Sequence, residues 1–220
     1  MKVIDVFDKG GIIVWVLAGY SFIALTILFE RLIHFTFMRR PQKNLEKNMV
    51  EGFKSHTIEP LLNSMRGPEA RVLQGIYEAY QAGVKDLNRV ASRIGSIELV
   101  NMERGFRTLS FLGNTAPLLG LLGTIIGMIK AFMVIEQAGG QVDAQALAGG
   151  IWEAMLTTGV GLAVAIPVLL LLHLLEGRAD KRAQSMRNYA SLMLEYLPQQ
   201  ASGAEVKDTI HHQDGITHAI

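Results

Sequence analysis

Three long runs of apolar residues interrupt an otherwise polar chain. The first covers residues 11–29, and the other two lie between residues 109 and 175, on either side of a short, polar, glycine-rich loop. Each run approaches or exceeds the roughly 20 residues that an α-helix needs to cross the hydrocarbon core of a bilayer. The pattern predicts an all-α integral membrane protein with three transmembrane helices.

Charged residues at the ends of the apolar runs set the boundaries of the predicted segments. We place the first transmembrane helix at 11–40, the second at 109–135 and the third at 151–177. The other predicted segments are an outer N-terminal segment at 1–10, a cytoplasmic helical segment at 41–108, an outer loop at 136–150, a cytoplasmic helix at 178–198 and a disordered tail at 199–220.

Apolar residues also recur at helical spacing outside the three runs. One such pattern covers residues 72–80, and a second begins near Asp86 and meets no proline before Pro117. We expect this second pattern to form one helix that continues into the second span, and the third span to continue as a helix to Leu197, where Pro198 ends it. The second and third transmembrane helices are therefore predicted to extend into the cytoplasm as long helices. The apolar positions of the second pattern are Leu87, Val90, Ile94, Ile97 and Val100 or Met102.

The distribution of basic residues predicts the topology. Lysines and arginines follow the first span, precede the second and follow the third, whereas the loop at 136–147 contains none. By the positive-inside rule the basic ends are cytoplasmic. We therefore expect the N-terminus outside and the C-terminus in the cytoplasm. The net charge of +1 gives no reason to invoke a nucleic-acid partner.

Several classes of chemistry find no support in the sequence. It contains no cysteine, which excludes disulfides, thiolate metal sites and cysteine nucleophiles. It has no nucleophile–base pair, no metal-ligand spacing and no phosphate loop placed after a strand. We therefore expect a protein that is not an enzyme and has no cofactor and no metal.

Small residues at steps of three and four mark one face of the second span. Such residues let helix backbones approach closely in lipid, so this face is predicted to pack against another helix. Pro117 and Pro167 are candidate kinks, tolerated where neighbours satisfy the freed carbonyl. The predicted packing residues are Gly113, Ala116, Gly120, Gly123, Gly127 and, in the third span, Gly161.

Four polar residues in or beside the second and third spans form the candidate site: Thr124, Glu153, Thr157 and Thr158. Two interpretations remain open. The threonines can simply bond to their own backbone, or they can line a proton pathway, because polar side chains in hydrocarbon normally face the bundle interior. Threonine does not titrate, so a pathway here needs a titratable group from another chain.

Two stretches carry a resemblance to a known family. TAPLLGLLGTIIGMIKAF contains the pattern APxxGLxGTxxGM at 116–128, and AGGIWEAMLTTGVGLAVAIP contains GIxEAxxxTxxGLxxAIP at 150–167. The Glu-Arg-Leu at 30–32 fits as well. In these motifs and in the order of its three spans, the chain resembles the ExbB/TolQ/MotA proton-channel family, especially its ExbB and TolQ branch.

The resemblance implies a function and an assembly. Family members are subunits of the bacterial inner membrane that form a homo-oligomeric ring, a pentamer in ExbB, around the single transmembrane helices of an ExbD- or TolR-like partner. The partner's membrane Asp takes up protons, and the proton-motive force drives mechanical work, which ExbB passes to TonB. By position, Thr124 and Thr158 match pore-facing threonines and Glu153 matches the family's glutamate, while Thr157 stands where alanine is common.

The resemblance leaves some questions open. Gly149 replaces a proline common in the family, and Lys130 adds a charge near the outer end of the second span, where relatives often have a neutral residue. The motifs do not separate an ExbB-like subunit from a TolQ-like envelope-integrity motor subunit. A third interpretation is a membrane scaffold ring that binds partner helices without conducting protons.

Overall fold

A computed structural model describes residues 11–38, 44–55, 57–137 and 144–214, and in the last helix it describes the side chains at 145 and 147–197. Every regular element in this part of the chain is an α-helix. The helices are α1 (Gly11–Phe37), α2 (Leu45–Lys54), α3 (Ile58–Ser64), α4 (Pro68–Gln81), α5 (Leu87–Met102), α6 (Phe106–Gln137) and α7 (Ala144–Asp214).

Three of these helices are long and apolar enough to cross a bilayer. They are α1, α6 and, within α7, the segment Leu147–Leu197. The second and third are also the longest helices, with 32 and 71 residues. The prediction of an all-α membrane protein with three spans, of which the later two are long, is confirmed.

The chain divides into two compact units. The first, called here the membrane unit, contains α1, α6 and the part of α7 up to Gly177; the second, the peripheral unit, contains α2–α5 and α7 from Arg178 onwards. Helix α7 contributes residues to both units.

Within the membrane unit, α1 runs antiparallel to α6. At the start of α1, a Cβ on Gly11 would lie 3.8 Å from Oε1 of Glu153, and near its end the ring of Phe35 stacks on Phe106, with centroids 6.4 Å apart. We call the end where α6 finishes and α7 begins the loop end. The opposite end, which carries Arg31 and Arg107, is the basic end.

The peripheral unit has a core of large aliphatic side chains. Leu45, Met49, Leu62, Leu73 and Ile76 are almost fully buried there. Such burial contributes roughly 1.5–3 kcal/mol per side chain. The α7 segment completes this core through its own buried residues, Met186, Met193 and Leu197, and through Tyr196, whose ring stacks on Phe53 at 5.4 Å.

Ion pairs join the helices of the peripheral unit. Arg182 of α7 donates a 2.8 Å hydrogen bond to Glu69 of α4, which is 3% exposed. Arg71 of α4 donates two hydrogen bonds to the buried Glu98 of α5, and this bonding raises the pKa of Arg71. Burial, followed by the charge of Glu69, raises the pKa of Tyr189.

The predicted continuous helix from Asp86 into the second span is wrong. It is interrupted between Met102 and Phe106, where Gly105 adopts φ +87°. Glycine occupies this left-handed region without the steric penalty that other residues meet. The second span therefore begins as a separate helix at Phe106.

The apolar face predicted for α5 is only partly correct. Leu87, Val90 and Ile94 are half-buried and Met102 is buried, but Ile97 and Val100 are exposed. The side of α5 that meets α4 is instead the one that carries Ile94, which lies over Gly75, and Glu98. The period of the apolar residues predicts the helix correctly, but the charged residue Glu98 occupies part of its buried face.

Helix α7 differs from its predicted ends. It begins at Ala144, inside the segment expected to be an outer loop, and it continues through Pro198 to Asp214, where a stop and then a disordered tail were expected. Proline removes one backbone donor from a helix, which weakens the helix there without breaking the remaining hydrogen bonds. The expectations for 1–10, for the loop at 138–143 and for 215–220 lie outside the described residues.

Candidate functional site

Helices α6 and α7 pack through backbone as much as through side chains. A Cβ on Gly120 would lie 3.0 Å from the Thr157 carbonyl oxygen, and one on Gly161 would lie 2.7 Å from the Ala116 carbonyl oxygen. Only glycine permits approaches this close. In lipid, where apolar side chains gain nothing by leaving the solvent, such packing is a main source of helix association.

The same contacts fix the register of the two antiparallel helices. Gly113 lies against Val168 and Leu169, Gly120 against Thr157, Thr158 and Gly161, and Gly127 against Ala154. The predicted small residues Gly113, Ala116, Gly120, Gly123 and Gly127 are all buried in this contact, and Gly161 lies opposite them on α7.

Thr157 is enclosed between the two helices. It is 2% exposed, and its side chain fills the space beside Gly123. Its hydroxyl donates a 2.7 Å hydrogen bond to the Ala154 carbonyl in the preceding turn and lies 3.4 Å from the Gly120 carbonyl oxygen. Its position is that of a packing residue that also links α7 to α6.

Thr158 and Thr124 are half-buried at the edge of the helix pair. The Thr158 hydroxyl donates a 3.1 Å hydrogen bond to the Gly120 carbonyl across the pair, and the Thr124 hydroxyl donates a 2.6 Å bond to the Leu121 carbonyl. Both hydroxyl protons are thus directed to backbone oxygens. The lone pairs of both oxygens remain able to accept further hydrogen bonds.

Helix α1 covers the opposite side of the pair. Its Leu17 forms a core with Ala116 and Ala165, against which Leu119, Val160 and Val164 pack. Thr124 is about 140° around α6 from Leu119, and Thr158 is about 160° around α7 from Val160. The two threonines therefore point away from α1, on a surface of the pair that we call the threonine face.

Glu153 lies at the loop end on the side of α1. Its carboxylate is 4.0 Å from Nζ of Lys130 on α6 and faces the start of α1 at Gly11. The structure thus divides the predicted site: Thr124 and Thr158 share the threonine face, Thr157 lies inside the helix pair, and Glu153 pairs with Lys130 beside α1.

Four polar residues further along the same surface escaped the sequence analysis. They continue from the threonines towards the basic end, two on each helix. On α6 the amide of Asn114 donates hydrogen bonds to the carbonyl and hydroxyl of Ser110 at 2.8 and 3.2 Å; on α7 Nδ1 of His173 lies 3.5 Å from Oε2 of Glu176. Their spacing from Thr124 and Thr158 along the helices was the signal that could have found them.

Both α6 and α7 remain helical through the prolines predicted as kinks, Pro117 and Pro167. Each proline lacks the N–H that would bond the carbonyl four residues earlier. The kinks predicted there stay predictions. Among the described residues, no group of three or more histidine, aspartate and glutamate side chains is arranged to hold a metal ion.

The fold and the comparisons with known proteins agree on the class of protein. Three spanning helices, two of them packed through glycines with hydroxyls on an open face, define a multi-pass membrane protein. A family model described as the MotA/TolQ/ExbB proton channel family matches residues 64–188, which is more than half of the chain. The chain belongs to this family.

Curated relatives carry the names of two of its branches. A putative biopolymer transport protein ExbB homolog of Methanothermobacter thermautotrophicus is 30% identical, with 81% of this chain and 64% of that protein aligned. The putative biopolymer transport protein ExbB-like 1 of Synechocystis is 28% identical, with 87% and 76% aligned. The Tol-Pal system protein TolQ of Haemophilus influenzae is 26% identical, with 92% and 96% aligned.

Proposed function

We propose that the chain is a proton-conducting motor subunit of the bacterial inner membrane. Copies of it form a homo-oligomeric ring, with five as the expected number, around the transmembrane helices of an ExbD- or TolR-like partner. A membrane Asp of the partner carries the proton past the threonine face. The proton-motive force then drives work at the cell envelope, either TonB-dependent uptake, as in ExbB, or a TolQ-like role in envelope integrity.

The observation that carries the proposal is the direction of Thr124 and Thr158. Both point away from α1, which covers the other side of the helix pair, so a partner helix can reach them. Their hydroxyl protons are bonded to backbone carbonyls. Their oxygens therefore act as acceptors for a protonated carboxyl group, which stabilises the neutral acid in the membrane.

The other two candidate residues take different parts in this proposal. Glu153 supplies a carboxylate at the loop end, held beside Lys130, where protons approach the threonines. Thr157 keeps α6 and α7 in register from inside the pair. The basic residues at the opposite end favour a cytoplasmic location for that end and for the C-terminus.

The test is proton flux into vesicles that contain the chain with a co-expressed single-span partner carrying a membrane Asp. Thr158→Val keeps the shape of the side chain and deletes the hydroxyl, so we expect flux to fall to the level of empty vesicles while the assembled complex is still recovered. The matched control is Thr115→Val, since this hydroxyl also bonds to its own helix, at 2.7 Å from the Phe111 carbonyl. Thr115 lies about half a turn around α6 from Thr124, so its hydroxyl is not on the threonine face.

Three outcomes separate the alternatives. Flux that needs both the partner and Thr158 supports the conducting subunit. Partner binding without flux in the unsubstituted complex supports the scaffold ring and returns the threonines to a packing role. Equal loss of flux in the Thr115 and Thr158 variants contradicts the specific role of the threonine face.

A further inference from the structure

The threonine face carries a second set of polar groups nearer the basic end. Ser110 and Asn114 on α6, and His173 and Glu176 on α7, each lie within about a quarter turn of Thr124 or Thr158 around their own helix. We call these four residues the basic-end row. A helix face that contacts only lipid normally carries apolar side chains. Polar side chains that continue along this face therefore indicate contact with water or with another polar group.

The register of the pair gives the spacing along the membrane. Because Gly113 lies against Val168 and Leu169, Asn114 is level with the region of Pro167, about 13 Å from Thr158 towards the basic end. Ser110 follows about one turn, or 6 Å, further on. His173 is about 22 Å from Thr158 along α7, and Glu176 lies one turn beyond it.

His173 places on this face an imidazole ring, which in its neutral form has one nitrogen that donates a hydrogen bond and one that accepts. Its side chain is 90% exposed, and its Nδ1 lies 3.5 Å from the Glu176 carboxylate, which leaves Nε2 to take up and release a proton. Among the described residues, the other charged or titratable groups at this end of the membrane unit are Glu103, Arg104 and Arg107 at or just before the start of α6, and His34 and the Glu30–Arg31 pair on α1.

We propose that protons leave the threonines towards the basic end past Asn114 and Ser110 and pass through the imidazole of His173, which Glu176 orients. Neutral His173 takes a proton from a hydrated donor on the threonine side and forms an imidazolium paired with the Glu176 carboxylate. It then gives the proton to water at the basic end and returns to the neutral form. In the first transfer an O–H bond of the hydrated donor breaks as the N–H bond of the imidazolium forms, and in the second that N–H bond breaks as an O–H bond forms on water. This exit path rests on the proposed function.

The test compares His173→Asn with His34→Asn in the vesicles described above. His34 is a matched control because it is an exposed histidine near the basic end of another spanning helix, α1. We expect His173→Asn to lower the flux on the order of tenfold, because an amide cannot replace imidazole as a proton shuttle. The His34 variant should keep the parental rate.

A rescue experiment separates proton exchange from a merely structural role. In His173→Ala, added imidazole should restore flux, because the free base can occupy the vacated space and carry the proton. Parental flux in His173→Asn, or failure of imidazole to restore any flux in His173→Ala, overturns the exit path. Thr158-dependent flux in that case still supports the proposed function, whereas absence of such flux in the unsubstituted complex overturns both.

Discussion

The membrane unit and the peripheral unit hold their helices together by different means. In the membrane unit, α6 and α7 meet through glycine and alanine, and the polar contacts between them run from threonine hydroxyls to backbone carbonyls. In the peripheral unit, the core contains leucine, isoleucine, methionine and phenylalanine, and ion pairs to the buried carboxylates of Glu98 and Glu69 connect α4 to α5 and to α7. Glycine dominates the contact between α6 and α7, whereas large side chains dominate the core of the peripheral unit.

The solvent explains this difference. In water, removing apolar surface stabilises the packed state by roughly 25 cal/mol per Å², so large side chains are the effective choice for a core. In lipid this gain is absent, and helices associate through close van der Waals contact and hydrogen bonds. The two units should therefore respond to different substitutions, and three variants test this, from the largest expected effect to the smallest.

The largest effect is expected for Glu69→Ala in the peripheral unit. The change removes the carboxylate 2.8 Å from Arg182, whose side chain is largely buried, and breaking a buried pair typically costs about 3–5 kcal/mol. Hydrogen exchange of the α4 and α5 amides in detergent measures the loss. Lys47→Ala, which removes an exposed pair with Glu51 at 3.9 Å, should cost about 1 kcal/mol or less. Similar values for both variants would contradict the assigned role of the Glu69–Arg182 pair.

A smaller effect is expected for Gly161→Ala in the membrane unit. The added Cβ would lie 2.7 Å from the Ala116 carbonyl oxygen, so the helices would have to move apart. Overpacking of this kind usually lowers the free energy of unfolding by about 1–3 kcal/mol. Gly159→Ala is the control, because a Cβ there meets nothing within 4 Å. Thermal unfolding in detergent should place the Gly161 variant below the parent and the Gly159 variant at or slightly above it. An unchanged midpoint for Gly161→Ala would argue against close backbone contact.

The smallest stability effect is expected for Thr157→Val, which tests the division of the candidate site. Loss of one buried hydroxyl bond should cost about 1 kcal/mol. Because Thr157 is enclosed between α6 and α7, a partner helix cannot reach its hydroxyl as it can reach that of Thr158. Proton flux should therefore stay within about twofold of the parental value. If Thr157→Val abolishes flux while the complex stays assembled, the hydroxyl belongs to the pathway and the division between Thr157 and Thr158 fails.

Much of the membrane unit could be predicted because its signals are local. Twenty apolar residues in a row identify a span, and small residues at steps of three and four identify the packed face without knowledge of its partner. The peripheral unit was predicted less well. Ile97 and Val100 match the helical period of α5 but are exposed, whereas Glu98 is buried because Arg71, about 27 positions earlier, bonds to it.

The sequence by itself determined the three spans, the helical class and the family motifs, since these depend on residue type and spacing along one helix. The tertiary structure alone decided which side of the α6–α7 pair is open, because that depends on where α1 packs. It also separated Thr157 from Thr158 and placed Glu153 beside Lys130. The physical reason is that neighbouring positions on a helix differ by about 100°, so only contacts between helices assign each position to an interface or to an open face.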